Sequence, residues 1–143
     1  MENLSSVFIL DKNEQSRNVT KSFIEGLEIV GNIEVFDDYK QGYEAIKNSQ
    51  NPIVIMDISE EFAELNDIAD NIKLCTSKII ITSLDYSTNT IIKALRLGAK
   101  EFLPKPILKD DLIRVLTMLN SVSAENDSSQ SKIISVYSNK GGI

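Results

Sequence analysis

Histidine is absent from this 143-residue chain. Without an imidazole there is no Ser-His triad, no histidine general base and no ordinary histidine zinc site. Cysteine is nearly absent too. Cys75 stands alone, so no internal disulfide can form, which suits a reducing cytoplasm. A lone cysteine in a helical pattern reads as a small core hydrophobe rather than a nucleophile. Long apolar runs are missing, and nothing approaches the roughly 20 residues that span a bilayer. The first residues carry neither the basic region nor the cleavage site of a secretory signal. Positive charge is in deficit. Lys and Arg number 15 against 21 Asp and Glu, a formal charge of −6, and the pI is near 4.7. That balance argues against general attraction to nucleic acid. The expectation is a cytoplasmic protein with no nucleic-acid partner and no membrane insertion.

What remains is a soluble globular composition, 42% hydrophobic and 25% charged, in a length suited to one ordinary domain. Residues 53–57 (I-V-I-M-D), preceded by Pro52, form the central apolar run. It suits a strand buried on both faces, with proline at its first position. Similar runs fall at residues 7–11, 33–36, 78–84 and 101–103. Between them lie helical patterns: after a turn over residues 12–16, one running to about Leu27 with Val19, Phe23 and Leu27 repeating, then 39–48 with Tyr43 and Ile46, and 59–74 with Phe62, Leu65, Ile68, Ala69 and Ile72 on one stripe. A fourth helix capped by Ser87 or Thr88 and closed by Gly98, and a fifth over residues 109–121 with Leu112, Val115, Leu116 and Leu119 inward, complete the series. Five strand–helix alternations predict one α/β domain, a flavodoxin-like, doubly wound, five-stranded parallel sheet, (βα)5.

Open sheets of this kind bind ligands beyond the carboxyl ends of their strands. Four polar residues stand at or just past those ends: Asp11, Asp57, Thr82 and Lys105. Each also has a plainer reading. Asp11 with Glu14, and Asp57 with Glu60, have the spacing of helix capping boxes, and Thr82 can be an ordinary strand threonine. Lys105 between Pro104 and Pro106 is the more specific signal.

The order of these residues resembles the receiver domain of two-component response regulators over roughly residues 4–122. The segment 98–106, G-A-K-E-F-L-P-K-P, is the most specific part of the match. The resemblance implies that Asp57 holds the phosphoacceptor position, addressed by a histidine kinase or phosphotransfer protein. It implies further that Thr82 and Lys105 contact phosphoryl oxygens and that Phe102 is the switch aromatic. The family ends its first strand with two adjacent acids that help hold Mg2+, where this chain reads Asp11-Lys12. The lysine removes a ligand and brings a cation near the metal position. The expected metal set is then Asp11, Asp57 and the Ser59 carbonyl, binding Mg2+ weakly, with the Lys12 ammonium joining Lys105 as a permanent cation between the two acids.

After residue 122 the composition turns polar, and residues 123–131 read as a flexible linker. Residues 132–143 look like a fresh strand running into Lys140, Gly141 and Gly142, the truncated start of a P-loop ATPase domain. K-G-G resembles the opening of the deviant Walker A motif of MinD/ParA-type ATPases, too incomplete to bind nucleotide by itself. Joined to an atypical receiver, it resembles the architecture of CpaE/TadZ proteins. That resemblance implies recruitment to a cell pole and pilus-assembly components as partners. The expected function is a non-enzymatic regulatory, localisation and protein-interaction module of a Tad/Flp pilus-assembly ATPase, with weak or no phosphorylation. The alternative is an ordinary phosphorelay receiver with Asp57 as phosphoacceptor. A small-ligand binder is weakened by the lack of a glycine-rich loop after the first strand. A weak homodimer through the fourth helix, fifth strand and fifth helix is expected, pairing Lys93, Arg96 and Lys100 with Asp110 and Asp111.

Overall fold

The computed structural model of the chain describes residues 4–121. Strand and helix alternate as β1 (Ser5–Leu10), α1 (Glu14–Ile24), β2 (Val30–Phe36), α2 (Tyr39–Lys47), β3 (Pro52–Asp57), α3 (Leu65–Lys73), β4 (Ile79–Ser83), α4 (Thr88–Arg96), β5 (Glu101–Pro104) and α5 (Lys109–Asn120). The strands form one sheet in the order β2-β1-β3-β4-β5, parallel at every pairing. This is the expected flavodoxin-like fold. The expected linker and the ATPase-like start, with Lys140, Gly141 and Gly142, lie outside the described residues.

Side chains alternate across each strand, so the sheet carries two apolar layers. Phe8, Leu10, Val54, Met56, Ile79 and Ile81 face α2, α3 and α4. On the opposite face Val7, Ile9, Ile53, Ile55 and Ile80 meet α1 and α5. Every residue of β3 is buried, as the uninterrupted apolar run requires. Helix α5 turns Leu112, Val115, Leu116 and Leu119 inward, as its spacing predicts. At the amino end of the sheet the Ser5 hydroxyl bonds to the Asn120 side chain, joining the start of β1 to the end of α5. Gly98 closes α4 at φ 106°, and a Cβ there would fall 2.5 Å from Lys73 Cγ, so glycine is required on both counts.

Two helices differ from expectation. In α1 the fully buried residues are Thr20 and Ile24; the expected Phe23 and Leu27 pack against the same layer, partly buried, while Val19 is 43% exposed. Its cap is Asn13, whose side chain accepts from the Ser16 N–H, so the Asp11–Glu14 capping box does not form. Helix α3 starts at Leu65 rather than Ser59, and residues 59–64 form an irregular segment. The Asp57–Glu60 box is absent because the Asp57 carboxylate is engaged elsewhere.

Candidate functional site

Strand register sets the site. Leu10 lies beside Met56 and Asp57 beside Thr82, so the carboxyl ends of β1, β3 and β4 are level. Asp11 follows β1 directly and Lys105 follows β5, bringing all four predicted residues to one sheet edge. The strand order reverses between β1 and β3, the position where open α/β sheets form a crevice.

Lys105 binds the two acids together. Its Nζ lies 2.9 Å from Asp11 Oδ2 and 3.1 Å from Asp57 Oδ1, and the three side chains are 8%, 4% and 7% exposed in that order. Lys105 precedes Pro106 across a cis peptide bond. Asp57 Oδ1 also accepts from the Thr82 hydroxyl at 3.1 Å and the Ser59 hydroxyl at 2.8 Å. Its Oδ2 accepts from the Ser59 backbone N–H at 3.3 Å. Asp11 accepts from the Ser16 hydroxyl at 2.6 Å and the Asn13 N–H at 3.0 Å. The carboxylates are thus neutralised and hydrogen-bonded from within the domain, which is what buried charge demands.

Lys12 corrects the expectation. Its ammonium leaves the acids and lies 4.3 Å from the centre of the Phe62 ring and 5.2 Å from that of Tyr39. Those rings meet edge-to-face at 5.2 Å. Successive residues of an extended chain point to opposite sides, so with Asp11 aimed inward Lys12 aims away. The ring faces attract the ammonium there. Lys105 alone stands between the acids. Phe102 is half-buried against the apolar layer that includes α4, and it pairs in register with Ile81.

The sequence did not point to three further members. Ser16 is one turn into α1, close enough to Asp11 that spacing could have suggested it. The Arg17 guanidinium donates to the Asp11 carbonyl at 2.9 Å. The Tyr39 hydroxyl donates to the Asp57 carbonyl at 2.6 Å. Burial first, then the Asp57 and Asp11 charges, push that phenol far above its usual range, so Tyr39 stays a proton donor. Beside Lys105 a groove of about 340 Å³ opens, walled by Val19, Phe23, Leu84, Pro106 and Ile107 among others.

Mg2+ requires near-octahedral oxygen ligands with open faces. One oxygen of each acid, Asp11 Oδ2 and Asp57 Oδ1, already faces the Lys105 ammonium. Among the described residues no cluster of three or more Asp, Glu, His or Cys side chains exists. As arranged, the Asp11, Asp57 and Ser59 set does not fit the ion.

Residues 7–117 match the family described as Response regulator receiver domain. The chain belongs to that family. Receiver domains are as a class regulatory rather than catalytic. Solved receiver structures share the fold at low sequence identity. A CheY-like receiver domain protein from Methanospirillum hungatei is 20% identical with a TM-score of 0.69, covering 89% of this chain and 99% of that one. The response regulator StyR is 18% identical with a TM-score of 0.69, and the match covers 88% of this chain but 64% of StyR. A protein from Burkholderia pseudomallei designated pilus assembly-related is 10% identical with a TM-score of 0.69, covering 85% of this chain and 92% of that one. No curated protein matches the sequence. Among the described residues of this receiver domain, no helix is long and apolar enough to cross a membrane.

Proposed function

We propose that this receiver domain is a regulatory, localisation and protein-interaction module of a cytoplasmic Tad/Flp pilus-assembly ATPase of the CpaE/TadZ kind, working with weak or no phosphorylation of Asp57. The observation that carries the reading is the Lys105 ammonium spanning Asp11 and Asp57 at 2.9 and 3.1 Å, while Lys12 stands where the family has a second acid. A tethered ammonium neutralises the acids but offers no coordination sites to bridge carboxylate and phosphoryl oxygens. The pilus context draws support from Lys140-Gly141-Gly142 in the tail. On this reading residues 123–131 link the receiver to an ATPase domain that begins at residue 132, and the whole is recruited to a cell pole.

Self-association through α4, β5 and α5 remains part of the proposal on a revised basis. Lys93 is engaged by Glu61 of the irregular segment, and Asp111 by Arg114 at 3.1 Å, so two of the five expected charges already have partners within the domain. The outward face of α4 instead shows Ile92 and Leu95, 41% and 45% exposed.

Incubation with acetyl phosphate and Mg2+, read by intact-protein mass spectrometry, tests the phosphorylation reading. The parent chain should be modified slowly or not at all, and Lys12→Asp, which adds a third acid at the rim, should be modified faster. Ready modification of the parent, with Lys12→Asp no faster, replaces this reading with an ordinary phosphorelay receiver whose phosphoacceptor is Asp57.

A further inference from the structure

Ser59 lies between Asp57 and the segment that joins β4 to α4. Its hydroxyl donates to Asp57 Oδ1 at 2.8 Å and accepts from the Leu84 backbone N–H at 2.9 Å. A hydroxyl has one proton and two lone pairs. The rotor position that gives the proton to Asp57 therefore also determines which lone pair faces Leu84. Neither bond depends on Thr82, which reaches the same carboxylate oxygen from β4.

The far side of this contact is lightly held. Leu84 and Tyr86 are 67% and 61% exposed. Beyond them the chain turns on Asp85, which accepts from the Ser87 N–H at 2.9 Å, and Ser87 caps α4. From its own span α4 buries Ala94 alone. The segment after β3 grips α4 at a second point, where Glu61 meets Lys93. Residues 59–61 thus touch the Asp57 carboxylate on one side and both the approach and the body of α4 on the other.

We propose that Ser59 is a positioning residue that couples the Asp57 carboxylate to the β4–α4 segment. The carboxylate fixes the hydroxyl, and the hydroxyl fixes the Leu84 amide. Anything that takes away the Oδ1 acceptor lets the hydroxyl turn and leaves the Leu84 N–H to water, loosening the lead into the least anchored helix. The relay uses contacts inside the domain alone, so it stands apart from the metal and pilus readings.

The test is amide hydrogen exchange at Leu84, read by NMR on the full chain, in a cycle of Asp57→Ala and Ser59→Ala. Each single change should speed Leu84 exchange about fivefold, which corresponds to about 1 kcal/mol, one hydrogen bond. The double variant should be no faster than Ser59→Ala alone. Ser59→Thr, which keeps the hydroxyl, should keep the protection, and Thr82→Val should leave it unchanged. Should Asp57→Ala fail to fold, Asp57→Leu, close to aspartate in shape and without an acceptor oxygen, takes its place and must also speed exchange. Unchanged Leu84 exchange in a folded Asp57 variant overturns the relay, as do simply additive effects in the double variant.

Discussion

Replacing Lys105 by methionine removes one ammonium and keeps the stem that fills its channel. Contacts of 2.9 and 3.1 Å leave the facing carboxylate oxygens no more than about 6 Å apart, where two like charges at an effective dielectric of about 20 repel by roughly 3 kcal/mol. The side chains are less than a tenth exposed, so water screens this repulsion poorly. One charge-assisted hydrogen bond, to Asp11, and one close ion pair, to Asp57, go with the ammonium. The expected loss for Lys105→Met is about 3–5 kcal/mol, the range for breaking a buried ion pair. That is a large part of the roughly 5–15 kcal/mol holding an ordinary domain folded. Urea unfolding followed by circular dichroism at neutral pH measures it as a lower midpoint with an unchanged slope. Asp11→Asn supplies the diagnostic. It should destabilise the parent, whose Lys105 would lose a partner, yet stabilise the Lys105→Met variant by removing one of two repelling charges. A loss under about 1 kcal/mol, or Asp11→Asn destabilising in both backgrounds, would refute the idea that one ammonium holds this pocket together.

Two further outcomes can be checked in the same unfolding assay. Tyr39→Phe deletes the hydroxyl that donates to the buried Asp57 carbonyl and should cost about 1–3 kcal/mol; a neutral result would mean that water takes the place of the phenol. Burial raises the pKa of the half-buried Glu101 above its ordinary 4.5, with Arg114 opposing, so the folded chain holds this proton more tightly than the unfolded one and stability falls as pH rises through that range. Glu101→Gln should therefore stabilise near neutrality and do little below about pH 4, and the reverse order would contradict the assignment.

The apolar runs of β1, β3 and β4 were legible because each is covered on both faces, so burial leaves a mark on every residue rather than on alternate ones. Helix α5 was legible because its inward set follows one unbroken stripe. Helix α1 was legible in part: Phe23 and Leu27 pack against the core as their spacing predicts, but the inner face also includes Thr20, a polar residue that hydropathy assigns outward, while Val19 beside it is exposed. The start of α3 was misplaced by a capping signal that did not act: the Asp57 carboxylate is turned to Lys105, Thr82 and Ser59, and the helix begins only at Leu65. That the Lys12 head group could leave the pocket was open from the sequence, but where it would go was not. Its aromatic partners Tyr39 and Phe62 come from other parts of the chain, and neither announces a cation site until the fold stacks them beside β1.

The bond between Ser5 and Asn120 decides where this domain is gripped. The chain starts β1 and finishes α5 at one pole, and the Lys105 pocket sits at the other, a strand length of roughly 20 Å away. A tether fastened at the first pole has no lever on the second. Any domain joined behind α5 would be held at the pole away from the pocket, and would then sense the pocket by docking on a lateral face of the receiver rather than by a tug on the connecting chain. The same geometry makes the domain portable: a different cargo spliced behind Asn120 should leave the pocket as it stands.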